Sequence, residues 1–465
     1  MRRLLILAHR YLGIALSLLF VSWFISGIVM MYTKGMPGLT PKLRLQRVAP
    51  LRAEDIHLTA ADAIQKAALE RPPARVILTT LAGRPVYRLG TKTVFADDGE
   101  VLGQVDAARA LDVAAMFTNI PREKLHQSLQ QDVDQWTISQ RRQMPIHHIT
   151  VDDADHTELY ISTQTGDVAV MTTRSSRALA WIGAIPHWFY FTALRTKDSA
   201  WRQAVIWTSG LGSILALLGI ILAFSQFKVK YSGWMRWHYV SGALFGIFTL
   251  TWVFSGMLSM DPWDWSQGGG LGNEIRGQLS GGTLNAAKFP PLDVASLGPG
   301  IREIEFSRIQ GEPHYIVRTP EQKLLVSAQT LQARTAPFSV ESLMAKVKTA
   351  YPNTPVVDSQ LLNDYDAYYY SQDHELPLPI LRVKFGDKDA TWMYIDPAAS
   401  QMLRSIHRLG RINRWIYHGF HSLDFAFLYY NWPAWSGIMI LLSLGGATTS
   451  IIGVVIGFRR LRNLR

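Results

Sequence analysis

Five histidines lie within or just before long apolar segments of this chain of 465 residues. His9 and His238 lie near the start of two such segments, whereas His187, His418 and His421 lie shortly before two others. An ionisable side chain is costly inside a membrane, so each of these residues is a functional candidate. Neutral imidazole is a common ligand of haem iron, and two helices that each supply one histidine at the same height can hold one haem.

An internal repeat relates these histidines to one another. His9 and His238 each begin the pattern His-x3-Gly-x9-Trp-x2-Ser-Gly, at an offset of 229 residues. The segment around His187 aligns with the segment around His418 at an offset of 231, which leaves His421 without a counterpart. Because a duplication places equivalent residues at equivalent depths, we expect two layers of histidines, one near each membrane face.

The outer layer leaves two alternatives for the partner of His187. His418 and His421 lie three residues apart, so a helix presents both on one face, and either could pair with His187. The other could then contact a substrate or transfer a proton. Zinc is the rival metal, but it needs three or four ligands at one point. Among these residues, His421 with Asp424 is the combination that zinc could use.

Four apolar runs predict membrane-spanning helices, because a span needs about 20 helical residues. They cover 1–32, 203–227, 234–260 and 433–458. The first run is too long for a signal peptide, and no small-residue cleavage site follows it.

Basic residues at the ends of these spans predict their orientation. The stretches that begin at Arg2, Lys228 and Arg459 hold ten basic residues and no acidic one. Basic flanks favour the cytoplasmic side, so we expect both termini in the cytoplasm; in a Gram-negative bacterial cell the chain would then lie in the inner membrane. The segments between the spans would then lie in the periplasm.

The two outer segments, 33–180 and 261–410, each predict a small α+β domain of one helix on antiparallel strands. The predicted helices are Thr59–Glu70 and Val340–Ala350, and the predicted strands include Arg75–Leu81, Val86–Leu89, Thr93–Phe95, Ile380–Phe385 and Thr391–Ile395. A histidine-bearing amphipathic helix follows each domain, over 181–202 and 411–432. The predicted fold is therefore an α-helical bundle of four membrane spans with an internal duplication, plus two periplasmic α+β domains.

Composition excludes several kinds of chemistry. The chain has no cysteine, which rules out disulfides, iron–sulfur clusters, thiolate-ligated haem and cysteine-based zinc sites. The net charge is +11, but the basic residues form no long patch interleaved with aromatic residues, so no nucleic acid is expected as a partner. No phosphate-binding loop or dinucleotide fingerprint occurs in a usable context, so electrons would come from a separate donor such as quinol, flavin or a reductase.

These motifs resemble the PepSY-associated transmembrane family. The resemblance rests on the two histidine-bearing spans, on the stretch from Arg414 to Asp424 and on the two small α+β domains, and it covers nearly the whole chain. It implies an inner-membrane cytochrome with two b-type haems. In that family pattern, His9 and His238 would hold the cytoplasmic-side haem, and His187 with His418 or His421 would hold the outer one.

The resemblance also implies an activity, namely reduction of ferric siderophore from Fe(III) to Fe(II) on the periplasmic side, which aids iron release. The expected partners are then a ferric siderophore or other ferric chelate, the membrane lipid and an electron donor. Two alternatives remain. The chain could conduct electrons to another periplasmic acceptor, or it could be a non-redox membrane sensor or peptidase regulator whose histidines are structural.

Overall fold

A computed structural model describes residues 2–33, 35–266, 271–285 and 289–463. The chain divides into two compact units. The helical unit comprises Met1–Met36, Ser175–Gly268 and Arg408–Arg465, and the sheet unit comprises Pro37–Arg174 and Gly269–His407.

The α-helices include four long ones and several short ones between them. They are α1 (Arg2–Thr33), α2 (Pro41–Arg47), α3 (Ala60–Ala67), α4 (Ala107–Thr118), α5 (Arg174–Ile182), α6 (Ala184–Trp188), α7 (Thr192–Arg195), α8 (Asp198–Ser225), α9 (Gly233–Leu258), α10 (Asn273–Ser280), α11 (Val340–Ala350), α12 (Arg408–Arg414), α13 (Phe420–Ser422), α14 (Ala426–Tyr429) and α15 (Trp432–Arg462).

Helices α1, α8, α9 and α15 are long and apolar enough to cross a membrane, in agreement with the four predicted spans. Helix α1 packs on α15 and α8, and α9 packs on α8 and α15, which closes a four-helix bundle. Its centre is aromatic and includes Phe20, Phe24, Trp252 and Trp435. The bundle therefore brings the two halves of the sequence together side by side.

The segments 181–202 and 411–432 differ from the single amphipathic helices predicted there. The first contains the end of α5, then α6, α7 and the start of α8, and its chain turns at Phe189, whose φ of 54° is left-handed. The second contains α12, a π-helix over Trp415–Gly419, then α13 and α14, and it turns at Leu423 with a φ of 49°. A left-handed residue ends a helix, so neither segment continues as one rod.

The strands form three antiparallel sheets. They are β1 (Val76–Leu81), β2 (Arg84–Leu89), β3 (Lys92–Phe95), β4 (Leu125–Gln130), β5 (Ile146–Val151), β6 (Glu158–Ser162), β7 (Val168–Thr172), β8 (Glu303–Ile309), β9 (Glu312–Arg318), β10 (Lys323–Ser327), β11 (Val356–Leu362), β12 (Ile380–Phe385), β13 (Trp392–Asp396) and β14 (Gln401–Ile406). The sheet orders are β10-β9-β8-β1-β2-β3, β4-β5-β6-β7 and β11-β12-β13-β14.

The six-stranded sheet joins the two outer segments, which were predicted to form two separate domains. Strands β1 and β8 pair antiparallel, with Val76 opposite Phe306. An edge strand exposes a row of unpaired N–H and C=O groups, and pairing β1 with β8 covers both edges at once. The predicted helices and strands occur close to their expected places, and Thr59, the first residue of a predicted helix, is the N-cap of α3. Their arrangement as one compact unit was not predicted.

An ion-pair cluster lies beside this joint. The carboxylate of Glu305 on β8 accepts hydrogen bonds from Arg75 Nε at 2.7 Å and from Arg318 Nη2 at 2.7 Å. Burial alone would raise the pKa of Glu305, but the bonds from both guanidinium groups outweigh it and hold the pKa below its ordinary value. Arg75 belongs to the first half of the sequence and Arg318 to the second, so this carboxylate links the two halves.

Candidate functional site: two histidine pairs in the helical bundle

His187 on α6 faces His421 on α13. Their ring centroids are 6.2 Å apart and the two ring planes are close to perpendicular, at 74°. Of the two residues predicted as alternative partners of His187, namely His418 and His421, His421 is the one that faces it. The ring of His418 contacts Tyr417, with centroids 5.0 Å apart.

The Nδ1 atoms of this outer pair bind to the long helices. His187 Nδ1 lies 3.2 Å from the carbonyl oxygen of Trp23, and His421 Nδ1 lies 3.1 Å from that of Trp252. A carbonyl oxygen can only accept, so each Nδ1 carries the proton and donates it. The lone pair of each ring is therefore on Nε2, the atom left available to a metal.

A serine hydroxyl contacts each of the same nitrogens. Ser26 Oγ lies 3.1 Å from His187 Nδ1, and Ser255 Oγ lies 3.0 Å from His421 Nδ1. These serines occupy the Ser-Gly end of the repeated motif, whose glycines leave space for the rings. A Cβ added to Gly27 would lie 3.4 Å from His187 Cε1. The motif therefore fixes the orientation of the outer imidazoles.

Both outer histidines are neutral at physiological pH. Burial and, to a lesser extent, the neighbouring His421 together lower the pKa of His187 to about 4. Burial likewise lowers the pKa of His421 to about 4. Neutral imidazole is the form that binds metal, because the protonated ring has no lone pair.

The inner pair has the same spacing. The ring centroids of His9 on α1 and His238 on α9 are also 6.2 Å apart, with an angle of 45° between the planes. His9 Nδ1 lies 3.2 Å from the carbonyl oxygen of Leu215 on α8. His238 Nδ1 is buried beside the backbone of Thr449 on α15. The first and third spans thus place their histidines together, as the repeat predicted.

A cavity of about 480 Å³ surrounds the inner pair, within the roughly 300–1,000 Å³ range of cofactor and ligand sites. Glycines line much of it, namely Gly13, Gly219, Gly242, Gly246, Gly453 and Gly457. A Cβ on Gly219 would lie 3.0 Å from His9 Cε1, and one on Gly453 would lie 2.9 Å from Ser17 Oγ. The space beside both imidazoles therefore depends on the absence of side chains.

The structure corrects the alignment of the second half of each repeat. Trp201 Nε1 donates to the carbonyl oxygen of Trp188 at 2.7 Å, and Trp435 Nε1 donates to that of Ser422 at 2.7 Å. These two bonds are related by an offset of 234 residues, not 231, and the same offset relates Phe189 to Leu423. The predicted alignment of His187 with His418 at the shorter offset therefore lies one helical turn too early, in the π-helix.

Several positions of the site were missed from the sequence. The offset of 234 relates Gly219 to Gly453, which lie beside His9 and His238 respectively. It also relates Leu215, the acceptor for His9, to Thr449, which lines the inner cavity. An alignment of the second and fourth spans at this offset would have found these positions without the structure.

The 6.2 Å spacing fits two ligands of one metal. A metal–nitrogen bond of about 2 Å, with roughly 1 Å from the nitrogen to the ring centre, separates two opposed imidazole centroids by about 6 Å. The outer pair also has polar neighbours without partners, since Trp23 Nε1 and Trp252 Nε1 are buried and unbonded within the described residues. The donor set and, at the inner pair, the glycine-lined space therefore fit a flat cofactor that two imidazoles would hold.

A zinc site receives no support from the described residues. Among them, no group of three or more histidine, aspartate or glutamate side chains is placed to hold a metal ion. Asp424, the acidic residue considered with His421, instead accepts a hydrogen bond from Arg414 Nη1 at 2.8 Å. Both side chains of this ion pair are buried.

Comparison of the sequence with known proteins identified no relative of this chain. No model of a protein family matches the chain, and no curated protein matches it in sequence. The features of this chain that bear on its function are therefore the two histidine pairs and the residues that orient them.

Proposed function

We propose that this protein is a membrane cytochrome with two b-type haems, one held by His9 and His238 and the other by His187 and His421. The observation that carries the proposal is the equal spacing of 6.2 Å in two ring pairs built from equivalent helices. A bound haem would supply a one-electron couple between Fe(III) and Fe(II). The resemblance to the PepSY-associated transmembrane family agrees with this assignment.

In this proposal the chain orients the ligands and excludes water. The carbonyls of Leu215, Trp23 and Trp252 hold three of the four Nδ1 protons, which fixes the tautomer and raises the basicity of Nε2. The apolar bundle surrounds the sites with a low dielectric, which influences the redox potential.

The separation of the two pairs suits transfer across a membrane. His9 and Trp23 lie 14 residues apart on α1, which is roughly 20 Å along the helix axis. The hydrocarbon core of a bilayer is about 30 Å thick. One pair therefore belongs near each end of the bundle, as a path for electrons between the two faces requires.

For the acceptor we propose a ferric siderophore or another ferric chelate on the periplasmic side. Each electron delivered would reduce one Fe(III) to Fe(II), and a quinol, a flavin or a reductase would be oxidised on the other side. Reduction would promote release, because the hard oxygen donors of a siderophore favour Fe(III). This part of the proposal rests on the family resemblance.

The first test is an absorption spectrum of the purified protein, oxidised and then reduced with dithionite, together with haem extraction. We expect about two b-type haems per chain. A folded protein that contains no haem, although it was produced with an adequate supply of haem, would overturn the proposal and favour a non-redox sensor or peptidase regulator.

A second test addresses the acceptor. The reduced protein is mixed with a ferric siderophore, and reoxidation is followed in the visible spectrum while a ferrous chelator reports Fe(II). Reoxidation with matching production of Fe(II) supports a ferric-chelate reductase. A loaded protein that ferric chelates fail to reoxidise would instead be a conduit to another acceptor.

A further inference from the structure

A second cavity, of about 200 Å³, lies in the sheet unit and is basic. It is bordered by α2, by β1 and the turn that follows it, by α4 and by the start of β7. Three arginines and one aspartate line it, namely Arg44, Arg47, Arg302 and Asp167. The apolar part of the wall comes from residues such as Val113 and Phe117.

Ion pairs within the protein neutralise only part of this charge. Arg44 pairs with Glu303 at 2.5 Å, and Asp167 pairs with Arg88 at 2.6 Å. Arg47 and Arg302 form no ion pair within the described residues. Two guanidinium groups therefore border the cavity without a counter-ion.

Arg302 is the more constrained of the two. Its side chain is half-buried, and its Nε is fully buried without a hydrogen-bond partner among the described residues. A buried donor that loses its bonds to water destabilises the folded chain, and more so when the group is charged. The cavity beside it is the place where an acceptor would remove this destabilisation.

We propose that this cavity binds a small oxyanion, a phosphate or carboxylate group, through Arg302 and Arg47. Guanidinium groups bind such anions with charge-assisted and often paired hydrogen bonds. The cavity is smaller than the roughly 300–1,000 Å³ of sites for larger organic ligands, so one anionic group fits it better than a nucleotide. The group can come from a free anion or from the headgroup of an anionic lipid. The site does not depend on the proposed redox function.

The test uses the full-length protein in a neutral detergent and inorganic phosphate as the probe, titrated by calorimetry at constant ionic strength. We expect saturable binding that Arg302→Gln weakens at least about tenfold, because a charge-assisted bond is lost. Arg302→Lys should give an intermediate affinity, since the charge remains and the paired donors do not. Arg47→Gln, at an exposed position that cannot disrupt the core, should weaken binding severalfold.

The matched control is Arg71→Gln, because Arg71 is an exposed arginine of the same unit that does not line the cavity. It should bind phosphate as the wild type does. A parallel arm compares nanodiscs of phosphatidylglycerol with nanodiscs of phosphatidylcholine by thermal unfolding. Stabilisation by phosphatidylglycerol that Arg302→Gln abolishes identifies a lipid headgroup as the source of the anion. Absence of both effects in the wild type, or equal losses in Arg71→Gln and Arg302→Gln, would overturn the proposal.

Discussion

The imidazole of His187 lies 6.2 Å from the imidazole of His421, and each ring donates its Nδ1 proton to a carbonyl oxygen of a different long helix. One ring is thus anchored to α1 and the other to α9, which are the equivalent helices of the repeat. The inner pair repeats the same 6.2 Å spacing between those two helices. The repeat therefore relates the two histidines within each pair, and both pairs have the same ring spacing within one bundle.

If the chain holds two haems as proposed, His421→Ala should remove one of them, whereas His418→Ala should keep both. His421 is the residue that faces His187, so its loss would leave the proposed outer haem with one histidine in place of two. The measurement is haem content per chain with the reduced absorption spectrum. His418→Ala is the matched control, since it removes a histidine three residues away on the same segment. Loss of haem in His418→Ala with retention in His421→Ala would contradict the assigned pair.

Gly219→Ala should disturb the inner site selectively. The added Cβ would lie 3.0 Å from His9 Cε1, which is closer than carbon atoms normally approach, so the imidazole must shift. We expect a lower haem occupancy or a changed midpoint potential for one haem only, measured by redox titration.

Gly437→Ala is the control for this substitution. It is also a helical glycine of a long span, but nothing lies within 4 Å of its added Cβ. It should leave both haems unchanged and raise stability slightly, because alanine favours a helix by up to about 1 kcal/mol over glycine. Equal effects of the two substitutions would show that helix propensity, not the contact with His9, is responsible.

The sequence predicted the pairing of His9 with His238 because both lie in one motif with invariant spacing in the two halves. It left His421 unresolved because a π-helix over Trp415–Gly419 alters the register of the second half and has no clear sequence signature. The local similarity around His418 then favoured an alignment one turn away. Tertiary contacts such as the Trp435 bond to Ser422 were needed to correct it.

The sheets, too, could be predicted only in part from the sequence. Helices α3 and α11 and strands β1, β2, β3, β12 and β13 were predicted from amphipathic patterning and turn residues, which are local signals. The pairing of β1 with β8 joins residues more than 200 positions apart, such as Val76 and Phe306. No local pattern distinguishes an edge strand that pairs with its repeat from one that stays free, so two separate domains were predicted instead of one unit.

Arg414→Met should destabilise the helical unit strongly. Arg414 donates to Asp424 Oδ1 at 2.8 Å and to its carbonyl oxygen at 3.0 Å, and both side chains are buried. Removing one partner of a buried ion pair leaves an uncompensated charge and costs about 3–5 kcal/mol. The measurement is thermal unfolding in detergent.

A double variant separates this cause from a loss of packing. Replacing both partners, as in Arg414→Met with Asp424→Leu, removes the unpaired carboxylate and should recover part of the lost stability. Since Asp424 lies three residues after His421, the single variant should also change the spectrum of the outer haem. A double variant less stable than Arg414→Met would mean that packing, not charge, dominates.

Glu305→Gln should destabilise the sheet unit at neutral pH and lose its effect in acid. The pKa of Glu305 is held below its ordinary value, so the ionised carboxylate stabilises the folded state. That contribution is fully present above the pKa of the unfolded chain, about 4.3 for glutamate, and disappears as the pH falls through the lower folded pKa. Thermal unfolding measured between pH 7 and acidic pH should therefore show the wild type and the variant converging. Glu123→Gln, at an exposed glutamate, should follow the wild type throughout, and a constant difference between Glu305→Gln and the wild type at every pH would refute the electrostatic explanation.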